Sequence, residues 1–427
     1  MALAARLAVV VWAAQAIPPS ADGTYYEKLA ERLAAGQGYT WLWPDGAVTY
    51  AAHYPVGYPA LVALGYALFG VKPVVAMLLN AVIGTAGAVA AWALVARCSP
   101  ARNALAAGIA VALHPVLVPY TAAFMTEGVT AAGLVIAAAL ASEARARRSW
   151  AWLAGMGLVL GLVTLVRPQS LVFAPILGAL AFERARLPKR ALAVALATAL
   201  ALGVCAPWTY RNCTRMEKCA LVSVNGGWNL AIGAQTNSGA WQEISVPEAC
   251  KTVFQEAAKD TCFGDEAKKG ILAHPGAWIA RMPAKLRATF DYFGAAPWYL
   301  HTANPVAFPY GAKVALGSIE TLASRLLLAA ALVAMWRWRG SNVRLRRVVV
   351  AVGLVACVLV PGTIGYLALA LGIVLAWRKL PVLLAATAVV ILATAATHAV
   401  FFGAGRYGIV VVPFVTCLAF ARRRVEA

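Results

Sequence analysis

Acidic residues are scarce in this chain. Its 427 residues include 17 Asp and Glu against 37 Lys and Arg, giving a formal charge of +20. Charged residues of both signs make up 13% of the sequence. A soluble globular surface needs about twice that share, so the soluble class is excluded. The usual motifs of soluble catalysis are also missing. There is no Walker loop, no G-x-G-x-x-G after a strand, no H-E-x-x-H and no serine elbow. No C-x-x-C pair is present, which argues against a zinc site. The basic excess is not gathered into one stripe or patch, as a nucleic-acid surface would require. It is divided among short loops, and no nucleic-acid partner is expected.

What is present is apolar sequence: 62% hydrophobic residues and a mean hydropathy of +0.73. Such a chain reads as an all-α polytopic membrane protein of about twelve spanning helices. Roughly, these fall at 2–17, 73–95, 102–122, 127–143, 150–166, 169–183, 190–208, 318–336, 347–360, 363–377, 380–400 and 406–421. Residues 56–70 are apolar too, but a span there would reverse every later loop. They are read as a helix partly embedded in the outer face. The basic loops then share the inner side, as the positive-inside rule requires. Those loops hold Arg97 and Arg102; Arg145, Arg147 and Arg148; Arg184, Arg186, Lys189 and Arg190. They continue with Arg337, Arg339, Arg344, Arg346 and Arg347; Arg378 and Lys379; and the tail Arg422-Arg423-Arg424. Both termini are placed in the cytoplasm. The first segment ends in Ala14-Gln15-Ala16, a small-x-small site, but its basic region is a single Arg, and it is read as a retained helix. The chain divides into an N-terminal membrane module (1–208) containing a first outer loop (18–72), an outer segment (209–317) and C-terminal membrane helices (318–427).

The first outer loop opens with Asp22. An amphipathic helix follows, with Tyr26, Leu29, Ala30 and Leu33 on one face and Glu27, Lys28, Glu31 and Arg32 on the other. It suits the membrane surface. An Asp before a helix is ordinarily its N-cap. Here Thr24 and Glu27 form a T-x-x-E capping box that would satisfy the helix start and release Asp22 for chemistry. In the second outer segment, 246–260 and 274–293 read as helices and 223–234 as a loop or turn. The helix at 274–293 has an interfacial pattern, with Trp278, Ile279, Met282 and Leu286 on one side. Cys213, Cys219, Cys250 and Cys262 all fall in this segment and suggest two disulfides. Local pairing, Cys213–Cys219 and Cys250–Cys262, is the simplest of the three connectivities. Cys98, Cys205, Cys357 and Cys417 lie in or beside spans and read as packing residues.

Ionisable residues near lipid are costly and are functional candidates. Asp22, His53, Tyr54, Glu127, Arg167, Arg211 and Arg406 all fall at outer helix ends or in outer loops, with Tyr25 and Tyr407 beside them. Two acids and three arginines at one level suit transfer from a phosphate leaving group. A carboxylate takes the proton of the acceptor hydroxyl. Arginines stabilise the departing phosphate through their fork of donors. The phosphate leaves as an anion, so no general acid is required. Each residue also has an ordinary reading. Glu127 suits a helix start. Arg167 and Arg406 suit helix ends that snorkel to head groups. Arg211 suits a surface salt bridge, and a lone His53 a structural role. Asn80, His114 and His398 lie within spans, where bonds across helices are expected, and Gly157 and Gly161 form a close-packing G-x-x-x-G.

Six stretches carry a resemblance: ADGTYYEKLAERLAAGQGY with HYPVGYPALVALGYALFG, then FMTEG, GLVTLVRPQSLVFAPIL, APWTYRN, VNGGWNLAIG and GRYGIVVVPF. In this order the chain resembles the GT-C superfamily of polytopic glycosyltransferases that use polyprenyl-phosphate sugars. Aminoarabinose transferases, protein O-mannosyltransferases and lipopolysaccharide-core sugar transferases are the most similar in pattern. The resemblance implies that Asp22 is the first-loop base and Glu127 the second acidic position. It places Arg167 and Arg406 at the lipid phosphate. Two departures stand out. Asp22 is followed by Gly23 where the family often has a second acid, and His53 stands where other members often carry a cation. They leave the sugar, the acceptor and a divalent cation open.

The expectation is a bacterial inner-membrane enzyme whose site faces the periplasm. It would move a sugar from a polyprenyl-phosphate carrier to a hydroxyl of an envelope lipid, glycan or protein. The polyprenyl-phosphate sugar is the donor substrate, and a divalent cation stays open as a cofactor. Two alternatives are an O-antigen-ligase-like enzyme, which takes a pyrophosphate-linked glycan, and a lipid or sugar transporter. The motifs argue against the ligase. Transporters carry midplane polar residues and internal repeats; here the charges gather at one face and no convincing repeat is found.

Overall fold

Backbone in lipid must hydrogen-bond to itself, so the apolar runs become helices. The computed structural model describes residues 1–338, 341–359, 362–376 and 380–422. Arg339, Arg378, Lys379, Arg423 and Arg424 of the basic loops lie outside them. Helix α1 (Ala2–Ala16) leads to α2 (Asp22–Ala34), an antiparallel hairpin of β1 (Thr40–Leu42) and β2 (Val48–Tyr50), and α3 (Gly57–Phe69). Then come α4 (Pro73–Ala96), α5 (Ala101–Ala112), α6 (Thr126–Arg147), α7 (Trp150–Val166), α8 (Phe173–Ala181) and α9 (Leu187–Arg215). The second outer segment holds α10 (Gly226–Gln235), α11 (Glu256–Ala273), α12 (Pro275–Phe290) and α13 (Ala295–Ala303). The chain ends with α14 (Tyr310–Arg337), α15 (Val343–Leu359), α16 (Gly362–Leu375), α17 (Val382–Val400) and α18 (Val412–Phe420).

The protein is a helical polytopic membrane protein. Among the described residues five helices, α4, α6, α9, α14 and α17, are long and apolar enough to cross a membrane. Shorter helices occupy the other expected spans. Helix α7 packs on α9 through the expected glycines: a Cβ at Gly161 would come 2.6 Å from Val204 Cβ, and one at Gly157 3.0 Å from Ala197 O. Asn80 bridges elements as expected, donating to Tyr58 Oη, Thr121 O and Ala123 O. His114 and His398 do not. Each bonds locally, His114 Nδ1 accepting from Val116 N and His398 Nδ1 donating to Phe402 O.

The two ends of the bundle differ in charge. At one end Glu143 pairs with Arg97 and Arg147, and Arg145 reaches Glu183 and Leu380 O. Asn103 also bonds Phe420 O there. These contacts bring together the loops around residues 97–103, 143–147, 183 and 380. The outer segments occupy the other end, stapled by disulfides Cys213–Cys219 and Cys250–Cys262 in the expected local pairing.

Several sequence-based expectations are corrected. The run 102–122 is not one helix: α5 stops at Ala112, ahead of Pro115 and Pro119, which cannot donate to a helix ladder. Arg6, 1% exposed, donates to the freed carbonyl of Ala112 at 2.9 Å and to Ala2 O at 3.1 Å. The loop expected at 223–234 contains α10. It starts on two glycines that mask its helical pattern, and Trp228 anchors it, donating its backbone N–H to Asp260 Oδ1 and packing on Phe263. The helix expected at 246–260 starts only at Glu256, because Pro247 and the disulfide at Cys250 leave residues 248–250 as a single tight turn. Helix α12 forms where expected, yet its Lys285 is fully buried and donates to Ala399 O and Val400 O at the end of α17. Burial lowers the Lys285 pKa to about 8.

Candidate active site

The site begins with a backbone irregularity. Ala21 adopts φ 51° and ψ −131°, a conformation that L-residues rarely hold without a constraint. Helix α2 therefore starts at Asp22, earlier than the capping box requires, and the box does not form. Thr24 Oγ1 donates instead to Ala21 O at 2.8 Å. No side chain caps the helix start, so the Asp22 carboxylate is not used as a cap. Its Oδ2 lies 2.8 Å from Arg406 Nη1, and its Oδ1 accepts from Tyr54 Oη at 3.4 Å. Burial first, and Asp22 second, push the Tyr54 phenol far above its ordinary pKa, so it remains a donor.

Gly23 explains why one acid stands here and not two. A Cβ at Gly23 would come 2.8 Å from Tyr299 Oη and 2.9 Å from Phe124 Cβ. Tyr299 Oη cannot easily retreat, because it accepts from both Ser20 N and Phe124 N. The helix start is thereby pressed against the turn that precedes α6.

Glu127 lies behind this surface. One oxygen is 2.8 Å from Arg167 Nη2, and the other accepts from Tyr120 Oη at 2.7 Å. Arg167 Nε also donates to Thr126 Oγ1, and Arg406 Nε lies 3.6 Å from Glu127 Oε1. Both guanidinium groups lie against Tyr407, 5.0 and 5.1 Å from its ring centroid, and His398 stacks on the same ring at 4.1 Å. The two acids differ in access: the Asp22 side chain is 31% exposed, that of Glu127 2%. One can meet an incoming hydroxyl; the other is sealed among cations and a phenol.

The structure therefore brings Asp22, Tyr54, Glu127, Arg167, Arg406 and Tyr407 into one cluster. Tyr25 is exposed and stacks on Tyr54 at 5.3 Å. His53 is half-buried against Tyr54 and Trp228. Burial lowers its pKa, partly offset by Glu256, Asp260 and Asp22. Arg211 is placed elsewhere. Its guanidinium donates to Ala51 O and Tyr39 O and lies over Trp208, so it fastens the first outer loop to α9. Tyr120, Thr126, Tyr299 and Glu256 were not singled out in the sequence, and no spacing there relates them to Asp22.

Two cavities flank α6 beneath the cluster. One is lined by Arg167, Gln169, Ser170, Thr394, Thr397 and His398, among others. Threonines within membrane helices commonly donate to the carbonyl four residues back. Thr85, Thr164, Thr198, Thr387 and Thr416 do so here. Thr394 and Thr397, which line the cavity, make no such bond. The other, of about 530 Å³, is lined mainly by apolar residues, with Arg6, Asn80 and Tyr120. Among the described residues no group of three His, Cys, Asp or Glu side chains converges to hold a metal ion. The donor set at the cluster does not fit a divalent cation either, since Asp22 and Glu127 are each already paired with an arginine.

Comparison with known proteins agrees with the resemblance read from the sequence. Residues 53–210 match the family model of dolichyl-phosphate-mannose-protein mannosyltransferase. No curated protein matches the chain. Among solved structures it is similar to ArnT from Cupriavidus metallidurans in the apo state, at 16% identity and a TM-score of 0.43. That alignment covers 99% of this chain and 77% of the other. It is also similar to the same protein bound to undecaprenyl phosphate, at 15% identity, TM-score 0.41 and the same coverage. A third similar structure is the oligosaccharyltransferase AglB from Archaeoglobus fulgidus in complex with an inhibitory peptide and a dolichol-phosphate. There identity is 13%, the TM-score is 0.46, and 98% of this chain and 50% of that one are covered.

Proposed function

We propose that this protein is a membrane glycosyltransferase that takes a sugar from a polyprenyl-phosphate carrier and transfers it to an acceptor hydroxyl. The observation that carries the reading is the accessible Asp22 carboxylate, oriented by Arg406 and Tyr54 in front of the sealed Glu127, which Arg167 and Tyr120 hold. The matched family model, with its lipid-phosphate sugar donor, supports it. The acceptor O–H gives its proton to Asp22 as its oxygen bonds to the anomeric carbon. The bond from that carbon to the phosphate oxygen breaks, and the electron pair leaves with the phosphate. Attack opposite the leaving group inverts the anomeric centre. Arg167 and Arg406 stabilise the departing charge, each as a planar fork of donors. The carrier phosphate would lie over the cavity of Arg167, Gln169, Ser170, Thr394 and Thr397, with its chain continuing into lipid.

We place the enzyme in a bacterial inner membrane with Asp22 facing the periplasm, acting on an envelope lipid, glycan or protein. The test is transfer from a set of radiolabelled polyprenyl-phosphate sugars to envelope extract, with wild type beside Asp22→Asn. The expected result is labelled product from wild type and a loss of about 100-fold or more in the variant, with donor binding retained. Full activity of Asp22→Asn would overturn the role of Asp22. Accumulation of substrate in proteoliposomes without covalent product would overturn the transferase reading.

A further inference from the structure

The segment Ala51–Tyr54 carries the phenol that meets Asp22, yet it belongs to no helix or strand. Its backbone is held almost entirely by other parts of the chain. Ala51 N donates to Tyr39 O, and Ala51 O accepts from Arg211 Nη1. Ala52 O accepts from Val224 N, and Tyr54 O accepts from Tyr39 Oη. Of the three N–H groups that remain, those of Ala52 and His53 both donate to a single atom. That atom is Glu256 Oε2, at 2.6 and 3.0 Å. The other carboxylate oxygen, Oε1, accepts from Trp41 Nε1 at 2.5 Å.

Glu256 opens helix α11 and sits midway in the loop closed by Cys250–Cys262. The second outer segment thus reaches into the first through one carboxylate. From there a continuous series runs to the reacting group: Glu256 to the His53 backbone, Tyr54 next in the chain, then Tyr54 Oη to Asp22 Oδ1. Trp41, whose indole N–H is spent on Glu256, packs edge-on against Tyr54 at 6.2 Å and Tyr25 at 5.9 Å. The same carboxylate therefore sets both the backbone and one ring wall of the pocket around Asp22.

We infer that Glu256 is a positioning residue for the transfer step, holding Tyr54 on Asp22 by clamping the Ala52 and His53 amides and the Trp41 indole. The inference rests on the glycosyl-transfer reading of the site. A carboxylate is required because all three neighbours are donors and each oxygen is already used. Glutamine supplies one acceptor oxygen and one N–H₂ group. With its oxygen kept on the two amides, its N–H₂ group faces the indole N–H, donor against donor. Phenylalanine at position 41 removes that conflict.

The test compares wild type, Glu256→Gln and the double variant Trp41→Phe/Glu256→Gln as purified full-length protein. One readout is hydrogen exchange of residues 51–54; the other is the radiolabelled transfer assay. Glu256→Gln is expected to speed exchange at 52–53 and lower kcat about tenfold or more at unchanged donor KM. The double variant is expected to recover protection and at least part of kcat. Unchanged exchange in Glu256→Gln overturns the clamp. Faster exchange with unchanged kcat overturns the positioning role, and so does a double variant no better than the single one. Wild type that transfers from no donor, with the exchange pattern as expected, tells against the activity reading and leaves the clamp standing.

Discussion

At the scale of single residues, two like groups in the cluster differ in burial. Asp22 and Glu127 are both carboxylates paired with arginine, but only Asp22 opens to solvent. Glu127 is the counter-charge of Arg167 and lies 3.6 Å from Arg406. Removing one partner of a buried pair leaves the other charge uncompensated. Glu127→Gln should therefore lower stability by about 3–5 kcal/mol, read as a fall in thermal unfolding temperature in detergent. A fully stable and inactive Glu127→Gln would assign Glu127 to the chemistry instead. Gly23 acts by absence: Gly23→Ala drives a methyl into Tyr299 Oη and Phe124. It should cost about 1–3 kcal/mol by overpacking and displace Asp22, so that transfer falls more than expression does.

At the scale of elements, the decisive features are where helices stop. Helix α5 ends at Ala112, and the freed chain carries Tyr120 and Phe124 back to the start of α6. Helix α17 ends where Lys285 takes its last carbonyls, which sets the run before Arg406. Its final turns present Thr394 and Thr397 to the cavity beside Arg167. If those hydroxyls meet the donor, Thr394→Val with Thr397→Val should raise donor KM. At about 1 kcal/mol for each lost bond, the increase is roughly fivefold per site. Donor titration at saturating acceptor measures it. An unchanged KM would remove this cavity from the donor path.

For the whole molecule, the two ends of the bundle carry different groups. Ion pairs among 97, 143–147 and 183 mark one end, and the Asp22 cluster the other. Between them, exposed side chains such as Leu64, Leu68, Val82, Val89, Leu162, Leu322 and Val355 present apolar surface suited to lipid. Single cysteines at Asp45 and Arg186, both exposed, should therefore react oppositely with an impermeant maleimide. Asp45→Cys should label in intact spheroplasts and Arg186→Cys only after permeabilisation. The reverse pattern would invert the topology and place transfer on the cytoplasmic side.

The sequence placed most of the membrane helices and the short loops that hold the basic residues, and offered the local disulfide pairing as the simplest of three connectivities. These are local properties: an apolar run must satisfy its own backbone, and the paired cysteines lie 6 and 12 residues apart. Tertiary structure alone decided that Arg211 fastens a loop, that the capping box gives way to a strained Ala21, and that Glu127 is sealed while Asp22 is open. Those outcomes depend on contacts such as Asp22 with Arg406 and Ala52 with Glu256, whose partners lie hundreds of residues apart. Spacing along a chain carries no record of such pairs, because the packing of separate helices brings them together.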